Sequence, residues 1–258
     1  MKKIVWTMLL LVSAMAWGQD AFNGTWKIKL DSAKMPEKPD QIMLHNGRYT
    51  CSTCVPKVDV KADGTDQKVA GAKIYDTMSV QSVNDHQVKI VTKKDGKVIG
   101  EETTTVAPDG NTAVTEFTDH PPQGGPVTGK VTTERVGKAA AGASPISGSW
   151  RMKKVDTVSD NGLTITFKGT ADGLQMSTPT GESYDAKFDG KDYPIKGSRA
   201  AEMVSLKKVD ARTIEETIKR DGKVIATSHM SVASDGKLHV ASTDKERGNT
   251  MTWVAEKQ

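Results

Sequence analysis

Lys93-Lys94-Asp95-Gly96-Lys97-Val98-Ile99 returns as Lys219-Arg220-Asp221-Gly222-Lys223-Val224-Ile225, 126 residues further on. At the same offset Val106-Ala107-Pro108-Asp109-Gly110 returns as Val232-Ala233-Ser234-Asp235-Gly236. Lys61-Ala62-Asp63-Gly64-Thr65-Asp66 returns as Lys187-Phe188-Asp189-Gly190-Lys191-Asp192. Across 60–110 against 186–236, 17 of 51 positions are identical without a gap. Nearer the start, Gly24-Thr25-Trp26-Lys27 matches Gly148-Ser149-Trp150-Arg151 at an offset of 124, so a two-residue insertion separates the blocks. A period this long is too large for a solenoid unit and fits a duplicated domain.

Each repeat unit reads as β. Asp-Gly occurs at 63–64, 95–96, 109–110, 172–173, 189–190, 221–222 and 235–236. This dipeptide tolerates positive φ and favours tight hairpins. Between these turns lie runs rich in Val, Ile and Thr. In the second copy nine strands follow one another: 149–154, 163–168, 174–177, 184–188, 203–209, 213–219, 224–232, 238–243 and 251–255. No helical period interrupts them, so the copy forms a meander, and closing it into a barrel removes exposed edges. The expected fold is all-β, two tandem antiparallel meander barrels of about 8–10 strands each. The expected domains are 19–136 and 146–258. Between them Gly137-Lys138-Ala139-Ala140-Ala141-Gly142-Ala143-Ser144-Pro145 reads as a flexible linker.

Residues 1–18 read as a secretory signal. Lys2 and Lys3 precede an apolar run, Ile4 to Val12, which is short for a membrane span. Small residues follow, with cleavage expected after Ala16 or Gly18. The expected location is therefore extracytoplasmic, periplasmic or secreted. No later segment is apolar enough to span a membrane as a helix. Removing residues 1–18 lowers the formal charge from +4 to +2. That balance gives no reason to expect a nucleic-acid or anionic-membrane partner. Nothing in the sequence sets an oligomeric state.

The two Gly-x-Trp motifs, at Gly24-Thr25-Trp26 and Gly148-Ser149-Trp150, each open a small β-meander. In this the chain resembles the calycin superfamily of lipocalins, fatty-acid-binding proteins and avidins. It is also similar to uncharacterised secreted bacterial proteins described as lipocalin-like, which share that start and the stretch Phe188-Asp189-Gly190-Lys191-Asp192-Tyr193-Pro194. The resemblance implies that Trp26 and Trp150 each close one barrel end. It also implies that a basic residue near the last strand covers the tryptophan. Arg135 fits that part in the first module, whereas the second offers Trp253 near that place and no arginine on its final strand. The helical lid of a fatty-acid-binding protein is excluded over Asp31–Asp40 by Pro36 and Pro39.

The chemistry-bearing residues are few. Cys51 and Cys54 are the only cysteines. In an oxidising compartment so close a pair is expected to form a local disulfide. At offset 126 the second copy has a turn, Ser177 to Thr180, so the pair sits at a hairpin and not at the helix N-terminus of a redox motif. No further Cys or His run completes a metal site, and no cofactor is expected. The five histidines form no HExxH, and nucleophile-elbow, P-loop and dinucleotide fingerprints are missing. Alternation places Val204 with Leu206, Ile214 with Ile218, Val224 with Ala226, and Leu238 with Val240 on an inner face. Glu216 shares it, and Glu102 and Glu116 are read as its equivalents in the first copy. An acid inside a barrel needs a partner or a ligand, unless the mouth is wet. The expected function is a non-enzymatic carrier of a small or lipophilic molecule, with Glu216, Glu102 and Glu116 at the site. The rival is an envelope protein whose outer sheet faces bind a protein or polysaccharide.

Overall fold

The computed structural model describes residues 21–138 and 143–258. The proposed signal, residues 1–18, lies outside the described residues, as do 139–142 of the proposed linker. The chain is all-β and forms two nearly closed antiparallel sheets of ten strands each.

The first sheet holds β2 (Asp40–His45), β3 (Arg48–Cys51), β4 (Val58–Lys61), β5 (Gln67–Lys68), β6 (Thr77–Asn84), β7 (Gln87–Lys94), β8 (Lys97–Val106), β9 (Thr112–Asp119), β10 (Val127–Val136) and β11 (Gly148–Val158). The second holds β1 (Gly24–Lys34), β12 (Thr164–Gly169), β13 (Gly173–Ser177), β14 (Ser183–Lys187), β15 (Tyr193–Pro194), β16 (Met203–Lys208), β17 (Thr213–Arg220), β18 (Lys223–Val232), β19 (Leu238–Asp244) and β20 (Asn249–Lys257). The nine strands read in the second copy are all present; the two-residue β15 is the addition. Closure comes where the end of β4 meets β6, with Gly64 N–H donating to the Val80 carbonyl at 2.8 Å. Gly190 N–H does the same to the Leu206 carbonyl at 3.1 Å.

The sheets do not follow the repeat boundaries. The first strand of each repeat unit lies in the other unit's barrel. β1 pairs with β12 and β20, and β11 pairs with β2 and β10. The first barrel is thus the unbroken segment 40–158, and the second is 24–34 joined by 164–257. The divisions 19–136 and 146–258 describe the duplication, not the barrels. The segment 137–145, read as a linker, falls between β10 and β11, which are paired neighbours in one sheet. The chain crosses between barrels at 35–39 and at 159–163. The cause is local. Both opening strands carry the same inward pattern, so either fits the slot. Pro36 and Pro39 lack an N–H and bias Met35 and Lys38 toward extended backbone, which disfavours a direct hairpin from β1 into β2.

The two tryptophans report the same exchange. Trp150 Nε1 donates to the Ile146 carbonyl and Trp26 Nε1 to the Phe22 carbonyl, each at 2.8 Å. Arg135 does cover a tryptophan, but it is Trp150, at 4.3 Å from the ring centre, and not the Trp26 of its own repeat. Its guanidinium also donates to the Gly110, Pro145 and Ser147 carbonyls, fastening the hairpin loop. Lys257, on the last strand of the second barrel, covers Trp26 at 5.2 Å. The sequence reading missed this lysine by looking for arginine. The motif glycines make room for these cations. Gly24 and Gly148 have φ of +126° and +144°, and a Cβ would collide with Lys257 and Arg135 respectively.

Turn chemistry explains the register. Asp95-Gly96 and Asp221-Gly222 have φ above zero at both positions, the two-residue hairpin geometry that matches strand twist. Asn46-Gly47 does the same between β2 and β3. A bulge after Ile218 pairs Lys219 with Val224, which turns Val224 outward instead of onto the inner face read for it.

Candidate functional site

The barrels share one frame but not one interior. Pairing across the ladders gives the equivalences. Val58 of β4 corresponds to Tyr184 of β14, Thr104 of β8 to Met230 of β18, and Ala113 of β9 to Leu238 of β19. Val131 of β10 corresponds to Trp253 of β20. At these four positions the second barrel has the larger side chain. Its interior is accordingly a packed cluster around Trp26, Phe22, Phe167, Leu174, Leu206 and Leu238. The first barrel encloses a cavity of about 470 Å³, and all four of its smaller residues line it. That volume lies within the range of small-molecule sites.

Ile42, Met78, Ile90, Phe117 and Trp150 make most of the cavity wall apolar. Thr115, Thr133, Tyr49 and Glu102 are polar points on it. Asp40 and Arg247 mark where it opens, being 42% and 37% exposed and 3.6 Å apart. Arg247 comes from the turn after β19, so the second barrel contributes to the mouth of the first.

Glu102, on β8, faces this hollow. Its side chain is exposed, and the surface it exposes lines the hollow within the surrounding protein. Burial pushes its carboxyl above the usual carboxylate range, and the Asp119 carboxylate adds to that. No hydrogen bond or ion pair to Glu102 exists among the described residues.

Glu216, on β17, also points inward, beside buried Ile214, while Glu215 is exposed. It is not free. The Tyr184 hydroxyl donates to Glu216 Oε1 at 2.9 Å. Burial raises its pKa, the Tyr184 hydrogen bond opposes the rise, and the Glu182 carboxylate adds to it. The two acids occupy one cross-strand pair. Ile90 faces Glu102 in the first barrel, and Glu216 faces Ser228 in the second. An offset of 126 maps Ile90 onto Glu216 and Glu102 onto Ser228, so the acid has changed strands but not layers.

Glu116 does not belong to this set. It lies on the outer face and pairs with Lys130 at 2.5 Å. The residue directly opposite Glu102 is Phe117, and opposed residues share a face. Alternation then sends Glu116 outward with exposed Val114, while Ala113, Thr115 and Phe117 line the hollow.

Cys51 and Cys54 are joined in a disulfide that lies on the cavity lining. By pairing, Cys51 at the end of β3 corresponds to Met176, one residue from the Ser177 given by the constant offset. Asp40 and the two sulfurs lie within 4.8 Å of one another, the one such trio of ligating side chains among the described residues. With both sulfurs in a disulfide, only the carboxylate retains ligand chemistry. His86 bonds the Val106 carbonyl and His120 sits 3.6 Å from Glu101, away from any nucleophile arrangement.

Glu216 sets a pH signature. Its folded pKa stands above its unfolded one, so the folded state holds the proton more tightly. Its contribution is fully present below the ordinary carboxylate range and is lost as pH rises through the raised value. Glu216→Gln keeps an acceptor for Tyr184 and removes the ionisation. Thermal unfolding from about pH 4 to about pH 8 should then show a smaller loss of stability than the parent, with the two proteins converging at the acid end. Parallel pH profiles would contradict it.

No protein-family model matches the chain, and no curated protein matches it significantly.

Proposed function

We propose that this protein is an exported, non-enzymatic carrier that holds a small, largely apolar molecule inside its first barrel. The observation that carries the reading is the contrast between the barrels. The same frame is filled in one and hollow in the other: Val58, Thr104, Ala113 and Val131 stand where the second barrel has larger residues, and this outweighs positions such as Phe117 against Ser242 that run the other way. A void of this size forfeits packing contacts and destabilises a domain, so occupation by a ligand restores what the lining lacks. The second barrel, with its packed interior, serves as the scaffold that supplies Arg247 to the mouth. Export is supported by the basic, apolar and small-residue order of residues 1–18 and by the disulfide. The non-enzymatic reading is supported by the lining, where apolar wall predominates and no nucleophile is paired with a base among the described residues.

The test transplants the second barrel's own solution. Ala113→Leu combined with Val58→Tyr places Leu238 and Tyr184 equivalents into the hollow. Filling a void avoids most of the strain of overpacking. N-phenyl-1-naphthylamine, a neutral apolar fluorophore, should bind the parent and lose at least about tenfold in affinity in the variant. The variant's circular dichroism and unfolding midpoint should be kept or improved. Equal binding by both proteins, or no binding by the parent, would rule out the carrier reading.

A further inference from the structure

We propose that the ligand of the first barrel carries a cationic amine, seated against Glu102 on an otherwise apolar body. This rests on the carrier reading above and names the chemical class of its cargo. The first ground is that Glu102 faces the hollow with no hydrogen bond or ion pair among the described residues. Its exposed carboxylate opens onto a mostly apolar wall, where a donor or cation is the favourable neighbour.

The second ground is a control built into the duplication. The second barrel also carries an acid at this cross-strand pair, and there the protein satisfies it. Tyr184 donates to Glu216 at 2.9 Å. In the first barrel the Tyr184 position is Val58, and the Ser228 position is Glu102 itself. The substitution that helps open the space also removes the donor. The acid was kept without its internal partner, so the partner has to come from the space that was opened.

The third ground is the sign of the field. The titratable groups that interact with Glu102 are Asp119 on β9 and Tyr49 on β3, and Tyr49 in turn interacts with Asp40 at the mouth, all acidic or neutral. Arg247, the cation on the lining, is engaged with Asp40. His120 and Arg199 act on Asp119. A carboxylate ligand would meet two acids, and an alcohol would leave the charge uncompensated. An ammonium donates up to three hydrogen bonds and compensates the charge. Its apolar body has Ile42, Met78, Ile90 and Phe117 to lie against.

The experiment displaces N-phenyl-1-naphthylamine from the full chain at pH 7 with decylamine, decanol and decanoate, which share one chain length. Decylamine should compete at least about tenfold better than decanol, with decanoate the weakest. In Glu102→Gln, decylamine and decanol should fall within about twofold of each other while the fluorophore still binds. Decanol or decanoate matching decylamine on the parent protein would overturn the inference, and the parent ranking alone decides this if the variant does not fold. Persistence of the amine advantage in Glu102→Gln would overturn it too. Both of those results leave the carrier reading standing, whereas no fluorophore binding by the parent removes both.

Discussion

Residues 40–158, expressed without the rest of the chain, will fold to a cooperative β-barrel, and residues 163–258 will not. The first segment contains all ten strands of its sheet in unbroken order, including β11 with Trp150, and Arg135 to cover that ring. The second segment lacks β1. Without it β12 and β20 become neighbouring open edges, and the slot filled by fully buried Trp26 stands empty. Open apolar edges of this kind aggregate. Residues 146–258 make the informative intermediate. They carry a Gly-x-Trp strand of their own, and the link that follows it, Ser159-Asp160-Asn161-Gly162, contains no proline. β11 can therefore turn back on β12 and occupy the place of β1, with Lys257 over Trp150. A single thermal transition for 40–158 and for 146–258, with aggregation of 163–258, is the expected pattern. A folded 163–258 would refute the strand assignment, and a molten 40–158 would refute the autonomy of the first barrel.

The second large effect is a substitution whose damage appears in the other half of the chain. Trp26→Ala removes a side chain with no solvent exposure, and such truncations cost about 3–5 kcal/mol. Residue 26 belongs to the first repeat, but its neighbours Phe167, Leu174 and Ala255 belong to the second. Hydrogen exchange read by mass spectrometry should lose protection across 164–257 and keep it across 40–136. Trp150→Ala should do the reverse. Loss of protection within the mutated repeat in both variants would mean that the strands are not exchanged.

These outcomes turn on what a repeat can and cannot encode. The duplication, the all-β class and the strand succession are legible in 60–110 and 186–236 because Asp-Gly turns and alternating Val, Ile and Thr carry their own geometry. Which barrel receives β1 is not legible from pattern, since β1 and β11 present the same inward residues. The traces it leaves are indirect: Pro36 and Pro39 in one link, none in the other, and Lys257 in place of an arginine. The hollow was equally hard to see. The small residues that help open it, Val58, Thr104, Ala113 and Val131, are ordinary ones whose meaning comes only from comparison, and the register slips by one between β8 and β9. That slip moves Leu238 onto Ala113 and exposes the error that set Glu116 beside Glu102. Glu216 was legible because a single strand, with Ile214 beside it, fixes its direction.

The pairing of β1 with β20 also sets an order in time. Synthesis runs from the N-terminus, and an exported chain enters its compartment in the same order, so β1 is the earliest of the described strands to emerge, while its partner β20 is the last of them. At roughly 5–20 residues per second, Trp26 waits on the order of ten to forty seconds for the strand that covers it. The first barrel can assemble during that interval, because 40–158 needs nothing made later. Throughout it, β1 remains an unpaired apolar strand tethered to a growing barrel, the kind of segment that holding chaperones recognise. The emerging chain is therefore most vulnerable at β1, and that vulnerability ends only when β20 arrives.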